Sequence, residues 1–450
     1  PRLAWIEKKD FELYKDVVDT AYQFHDLMLG TLMQLAGEDT TVILVSDHGF
    51  HPDHLRPREL PNEPAGPADE RRPYGVFAMK GPGVKKDALV FGATLLDVTP
   101  TILTLFGLPV GRDMDGKPLL NAFEAPPGVQ YVDSWEEVPG EAGTHPPGVR
   151  VDPIGSQEAL EQLAELGYIE KPEEDRRGTV ARTVRELRFN LARDYFGAAR
   201  YPQAIELFEA LWREYPDESR FGVKLIESHL ALGHAPEARA ALERLVMEKE
   251  RYAREARAEL ERLAEEFKDR KEEDFKPDEI TRINQLRRKA AVNEHALAFL
   301  RGRVLQAEGE HDQALEQFSQ AAEVQVHNRP SLLRSVAESL IALGRWNDAE
   351  ARFREILAID PVNPHAHLGL ARCHLGRRRP RLARNEALAA LGLAYHNPMA
   401  HYYCGMALRW LGQREEAIQA FETAVAQNPV FPDAHRELSD LHRKLGRPQE

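Results

Sequence analysis

The chain predicts an α/β portion at its front followed by an all-α solenoid. Three observations carry this. Short apolar strands alternate with amphipathic helical stretches over residues 1–122, and a proline- and glycine-rich stretch follows. From about residue 183 a spacing of small, bulky and apolar residues then returns at intervals of 34 or 35 positions, with one interruption near 248–278. Helices and strands alternating around short apolar runs define a layered α/β domain, whereas self-similarity at a fixed period of 20–50 residues defines a repeat architecture.

In the front region, Leu13, Val17, Ala21, Phe24, Met28, Thr31 and Leu35 recur at steps of three or four, which predicts one amphipathic helix over 10–36. A strand over 41–46 follows, Thr41-Val42-Ile43-Leu44-Val45-Ser46, and a second over about Tyr74 to Lys80 stops at Gly81-Pro82-Gly83. A helix from near Ala93 to Phe106 is closed by Gly107 and Pro109. Residues 123–182 read as a linker with a short helix, Gln157 to Tyr168. Six prolines between Pro126 and Pro153 preclude a central strand or long helix there. The stretch is either a tail wrapped on the front domain or a free tether.

Residues 183–450 repeat themselves. A glycine or small residue is followed by Ala five positions later, a bulky residue four further on and an apolar one three beyond that. The pattern reads Ala199-Ala204-Phe208-Leu211, Gly233-Ala238-Leu242-Leu245, Gly309-Ala314-Phe318-Ala321, Gly344-Ala349-Phe353-Ile356 and Gly412-Ala417-Phe421-Ala424, with a weaker copy at Arg378-Ala383-Ala387-Ala390. The glycine permits a tight turn between two helices, the alanine lets them approach, and the bulky residue fills the contact between repeats. This spacing resembles the tetratricopeptide repeat, which implies a helical superhelix binding a protein or peptide partner in its groove. A charged stretch near 248–278 interrupts the array and reads as a solvated amphipathic helix or a partner-binding coiled coil.

The strand 41–46 ends in Asp47-His48-Gly49. A carboxylate and an imidazole at the carboxyl end of a strand, with a glycine that lets the backbone turn away, suit a metal such as Zn²⁺, with Mn²⁺ tolerated. The alternative is a capping Asp beside a surface His. Downstream, Tyr74-Gly75-Val76-Phe77-Ala78-Met79-Lys80-Gly81-Pro82-Gly83, Leu96-Asp97-Val98-Thr99-Pro100-Thr101-Ile102-Leu103 and Asp113-Met114-Asp115-Gly116-Lys117-Pro118-Leu119 follow in order. Together with Thr41 to Phe50 they resemble the C-terminal part of the alkaline phosphatase superfamily, in its type I phosphodiesterase and nucleotide pyrophosphatase branch.

That resemblance implies a two-metal phosphoesterase acting on a phosphate ester, with Asp47 and His48 as metal ligands. Two departures count against activity. The family's nucleophile and early ligands find no counterpart in the chain, so it is expected to be a truncated and inactive domain with no catalytic residue to name. Arg71 stands where a ligand His is usual, and a guanidinium cannot ligate a metal. His51 and His54 are substitute ligands or polar loop residues; Arg56, Arg58, Arg71 and Arg72 are phosphate contacts or solvated charge. Two functions therefore compete: a metal-dependent hydrolase carrying an interaction domain, and a non-catalytic scaffold or adaptor with a degenerate hydrolase domain.

Composition narrows the partners. The 450 residues carry a formal net charge of -14, which does not attract nucleic acid or anionic lipid by bulk charge. No apolar run approaches the ~20 residues of a membrane span. Cys373 and Cys404 read as free buried thiols, which suits a reducing compartment and an expectation of the cytoplasm. His365, His367, His374 and His401 are expected at packing or surface positions of the repeats, and Tyr402, Tyr403 and Met406 on the inner face of the last full repeat.

Overall fold

The computed structural model describes residues 6–50, 71–72, 75–90, 93–140, 176–197, 200–268, 275–323 and 329–447. These fall into two compact units, one up to Pro172 with the short stretch 394–396, the other comprising Glu173–Leu393 and Asn397–Glu450.

In the front unit the single helix expected over 10–36 is two, α1 (Lys8–Tyr14) and α2 (Val17–Ala36), separated at Lys15 and Asp16. Gly37 at φ +77° ends α2, a conformation that costs a residue with a Cβ about 1–2 kcal/mol. β1 (Val42–Val45) runs antiparallel to β4 (Phe77–Lys80), with Val42 opposite Lys80 and Val45 opposite Phe77. β2 (Gly49–Phe50) pairs antiparallel with β3 (Arg71–Arg72). A 3₁₀ turn at Leu95–Asp97 leads into α3 (Val98–Leu105), and β5 (Val110–Gly111) lies parallel to β6 (Tyr131–Val132).

The layered α/β sheet expected from the sequence does not form among the described residues: the strands make three separate two-stranded ladders. A layered core requires a helix to bury its apolar stripe on a sheet. Here α1 and α2 bury no residue, and Leu13, Phe24, Met28 and Leu35 remain exposed. What core exists gathers around α3, where Val110, Leu119, Ala122 and Phe123 are buried.

The second unit is all helix. Its hairpins are α4 (Arg176–Gly197) with α5 (Tyr201–Glu214), α6 (Ser219–Ala231) with α7 (Ala235–Glu266), α9 (Glu294–Ala307) with α10 (His311–Ala322), α11 (Arg329–Ala342) with α12 (Trp346–Ile359), α13 (Pro364–Gly376) with α14 (Pro380–Leu393), and α15 (Pro398–Trp410) with α16 (Arg414–Gln427). α8 (Pro277–Ala290) packs on α7, and α17 (Pro432–Lys444) closes the row on α16. The charged stretch from 248 is not a separate helix: it prolongs α7, burying Ala253, Ala256 and Leu263.

The repeat spacing has the expected physical meaning. Ala204, Ala238, Ala314, Ala349, Ala383 and Ala417 are fully buried, as are Phe208, Phe318, Phe353 and Phe421; Phe318 and Phe421 lie against Gly302 and Gly405 of their own hairpins, and Phe353 against Gly369 of the next. Burying one such ring contributes about 1.5–3 kcal/mol. The turn residues Gly233, Gly309, Gly344 and Gly412 all take positive φ, and Arg378 in the weaker copy adopts the same left-handed conformation at φ +57°. Asn293, Asn363 and Asn397 each accept a hydrogen bond from the backbone N–H three residues on, at 3.0 Å, starting α9, α13 and α15.

Candidate functional site

Two places hold residues that could recognise or transform a ligand. The first is the end of β1. Ser46 N–H donates to the Val76 carbonyl at 2.9 Å, and the Ser46 hydroxyl donates to the His48 carbonyl at 2.6 Å, so the turn after β1 is tightly held. Gly75 lies against the Ser46 backbone so closely that a Cβ there would overlap the Ser46 carbonyl. The imidazole of His48 stands with Nδ1 2.8 Å from the Gly49 carbonyl and Nε2 3.5 Å from an Asp47 carboxylate oxygen. With Nδ1 turned to that carbonyl, Nε2 faces the carboxylate.

That is two donors side by side. Zn²⁺ sites use three protein ligands when catalytic and four when structural. Among the described residues no group of three or more His, Cys, Asp or Glu could hold a metal ion. The described donor set therefore does not fit a metal by itself. The β2–β3 ladder sets the Arg71–Arg72 backbone beside Gly49–Phe50, with Phe50 opposite Arg71, so the segment that departs from the family pattern adjoins the motif. His51, His54, Arg56 and Arg58 lie outside the described residues.

The second place is a groove in the helical unit. The first helices of successive hairpins, α9, α11, α13 and α15, adjoin one another along the array. An open cavity of about 170 Å³ is lined by Arg334 and Glu338 of α11, His365, Leu368 and Arg372 of α13, and Met399 and Tyr403 of α15, with Ile341 and Phe353 at its base. Residues spaced three or four apart share one face of a helix, which places Arg334 with Glu338 and both His365 and Arg372 with Leu368.

Charged and titratable groups stand in and beside the groove. Burial, reinforced by the like charge of Arg334, pulls the pKa of Arg303 on α9 below its ordinary value, against the opposing pull of Glu338 and Glu227. Burial also lowers the His365 pKa, with Arg334 adding to the effect. Burial raises the Tyr403 phenol, opposed by Arg372. Among the described residues neither Arg303 nor Arg372 has a carboxylate within 4.0 Å, and Arg334 reaches Glu338 only at 4.0 Å. Some arginines elsewhere in the unit are closely paired: Arg220 holds Glu186 at 2.5 and 2.8 Å and Glu218 at 2.7 Å, and Arg409 holds Asp440 at 2.9 Å.

The other residues named from the sequence divide between wall and core. Tyr403 reaches the cavity, whereas Tyr402 packs its ring against Phe421 and Phe431 and Met406 packs into the core. His374 and His401 are buried, His367 stands 2.7 Å from the Glu386 carboxylate, and His365 alone of the four lines the cavity. Both cysteines are free and buried, and burial pushes the Cys373 thiol up to about 12, so neither presents a reactive thiolate. The sequence reading did not single out Arg303, Arg334 and Arg372. Their only signal was a recurrence of arginine on the first helices of three consecutive repeats.

Comparison with known proteins agrees with the geometry. Residues 195–260 and 340–403 match one family model described as tetratricopeptide repeat, and residues 404–450 match a second with the same description. Both matches fall in the helical unit, whose C-terminal part, 340–450, and whose segment 195–260 thus carry tetratricopeptide repeats. Among solved structures the chain is similar to PilW, described as a widely conserved type IV pilus biogenesis factor, at 14% identity and TM-score 0.39 over 57% of this chain and 98% of that one. A thermophilic TPR protein of Thermus thermophilus matches at 21% identity and TM-score 0.31 over 34% of this chain and 84% of that one. The first TPR of Spaghetti, bound to the HSP90 peptide SRMEEVD, matches at 20% identity and TM-score 0.26 over 26% and 94%. No described helix is long and apolar enough to cross a membrane.

Proposed function

We propose that the chain is a protein-interaction scaffold whose tetratricopeptide array holds a segment of a partner protein in the groove of α9, α11, α13 and α15. One observation carries this reading: the cavity between α11, α13 and α15 combines an apolar wall of Leu368, Met399 and Tyr403 with the charged side chains of Arg334, Glu338 and Arg372. At about 170 Å³ it is smaller than the ~300–1,000 Å³ of sites that enclose whole small molecules. It suits a single side chain of a longer ligand. The test is selection of a random peptide display library on the full chain, followed by binding of the selected peptides to Leu368→Ala and Tyr403→Ala. Groove-dependent peptides support the reading, and failure to select any peptide overturns it.

A second reading rests on the Asp47–His48 pair, whose Nε2 and carboxylate oxygen are 3.5 Å apart with Nδ1 oriented by a backbone carbonyl. Such an oriented His beside a carboxylate is what a metal-dependent phosphoesterase would use. Hydrolysis of an aryl phosphodiester by the full chain with added Zn²⁺ or Mn²⁺ tests it. Turnover that depends on metal and falls with Asp47→Ala supports it, and its absence ends it.

A further inference from the structure

We propose that the chain pairs with a second copy of itself along the edge of the helical unit that carries the turns inside its hairpins. The charges on three successive turns of that edge are their own complement under a two-fold axis. The pairing leaves the groove open and does not depend on what the groove binds.

The three turns occupy equivalent places in the repeat. Gly309-Glu310-His311-Asp312-Gln313-Ala314 leads from α9 into α10, Gly344-Arg345-Trp346-Asn347-Asp348-Ala349 from α11 into α12, and Arg378-Arg379-Pro380-Arg381-Leu382-Ala383 from α13 into α14. Hairpins stacked in chain order, each running up and back, bring these turns to one edge of the array. Ala314, Ala349 and Ala383 are fully buried and fix the register. The positions before them differ in charge. The first turn is acidic, with Glu310 and Asp312. The second carries one charge of each sign, Arg345 and Asp348. The third is basic, with Arg378, Arg379 and Arg381.

The end charges are not used within the chain. Glu310, Asp312, Arg378, Arg379 and Arg381 are exposed and form no ion pair among the described residues. Other charges of the same edge are taken: Glu308 by Arg239, Arg377 by Glu350, and Glu415 of the following turn by Arg447 at 3.2 Å. A two-fold axis through the middle turn sets the acidic turn of each copy against the basic turn of the other, twice over. A two-fold interface needs this property, because one patch must serve on both sides. At the axis, Arg345 and Asp348, 2.8 Å apart within one copy, meet the same pair of the second copy crosswise. A cavity of about 220 Å³ lined by Arg345, Trp346, Asn347, Asp348 and Arg377 gives those side chains a seat. Pairing the edges without the rotation opposes acid to acid and arginine to arginine. The net charge of -14 repels two copies at long range, so the dimer belongs to the weak, transient class of interfaces.

Sedimentation velocity of the full chain in about 0.15 M salt, over about a hundredfold range of concentration, reads the pairing. The parent is expected to move from monomer to dimer as concentration rises. Two variants reverse one turn each: Glu310→Arg with Asp312→Arg, and Arg379→Glu with Arg381→Glu. Each alone is expected to lose at least tenfold in self-association, because both end contacts then oppose like charges. An equimolar mixture of the two is expected to recover the dimer, since every reversed turn meets one of opposite sign. Should a reversal melt early, Glu310→Gln with Asp312→Asn and Arg379→Gln with Arg381→Gln take its place, and each is expected to weaken the dimer several-fold. A parent that stays monomeric overturns the proposal, as do variants that dimerise like the parent or a mixture that recovers nothing. Growth past the dimer into open chains also overturns it, because a head-to-tail contact then replaces the two-fold one.

Discussion

The ring of Phe421 lies directly over Gly405: a Cβ built on that glycine would come 2.7 Å from the ring's Cε1. Phe421 projects from α16, the second helix of its hairpin, and Gly405 sits on α15, the first. Phe318 stands in the same relation to Gly302, at 2.5 Å. The bulky residue of the repeat is therefore matched by a missing side chain on the partner helix, and the pair sets how closely the two helices approach.

Gly405→Ala tests that closeness. Alanine gains up to about 1 kcal/mol in helix propensity, but the added methyl must displace a fully buried ring, which costs about 1–3 kcal/mol. The overlap wins, and a net loss of roughly 1–2 kcal/mol is expected in urea denaturation. Gly392→Ala on α14 is the control, since nothing lies within 4 Å of a Cβ there; it is expected to be neutral or stabilising by up to about 1 kcal/mol.

Arg378 carries a different cost. It holds φ +57° at the turn where the other copies use Gly344 and Gly412 at φ +73° and +83°. The left-handed region costs a residue with a Cβ about 1–2 kcal/mol, offset in part by the larger entropy that glycine loses on folding. Arg378 is exposed and forms no ion pair among the described residues. Arg378→Gly is therefore expected to stabilise the array by about 0.5–1 kcal/mol, visible as a higher denaturation midpoint with an unchanged slope.

The array should weaken in acid below the range where histidine titrates. Burial lowers the pKa of His229, His365 and His374 from the ordinary 6.5. Glu237 and Glu209 oppose the shift at His229, as Glu350 and Glu386 do at His374, where Arg354 and Arg377 add to it. A folded pKa below the unfolded one means that the unfolded chain takes up protons first as pH falls. The contribution is thus complete above about pH 6.5 and is lost as the pH drops through the depressed folded values. Melting temperature measured from pH 8 to 5 is expected to fall below about 6.5, and to fall less in a His229→Gln, His374→Gln variant. A flat profile in the parent would refute the assignment.

How far the sequence reached is a matter of the range over which each contact acts. The hairpins were legible because Ala349, Phe353 and the turn at Gly344 act on residues a few positions away, so the spacing itself encodes the contact. The prolongation of α7 through Ala253, Ala256 and Leu263 was present in the periodicity but was read as a break, because the dense charge on its exposed face outweighed the continuity of the stripe. The groove was only half legible. Tyr403 was named, whereas Arg334 and Arg372 were not, because only the stacking of α11 on α13 brings them to one cavity, beside Glu338. At the front, the stripe of α2 was legible as a stripe, but a stripe does not say what covers it, and no sheet among the described residues does.

The segment before α3 provides a last test, in the front unit. Asp97 is buried and accepts three hydrogen bonds, from the Thr94 N–H at 2.8 Å, the Thr94 hydroxyl at 3.0 Å and the Lys117 N–H at 2.8 Å. Four residues on, Thr101 donates to the Asp97 carbonyl at 2.6 Å and accepts from the Leu119 N–H at 2.9 Å. One carboxylate and one hydroxyl thus fasten residues 113–119 to the start of α3, where Gly116 packs against the Leu96 backbone with no room for a Cβ. Asp97→Ala strands two backbone N–H groups and costs up to about 2–6 kcal/mol at roughly 1–3 for each unsatisfied donor, reduced by any water that enters. Asp97→Asn keeps one acceptor oxygen for one of the two backbone N–H groups and turns an amide NH₂ toward the other, so an intermediate loss is expected. Hydrogen exchange at Lys117 and Leu119 reads the effect directly: both amides are expected to exchange at least tenfold faster in Asp97→Ala, while amides of α13 and α15 keep their parent rates.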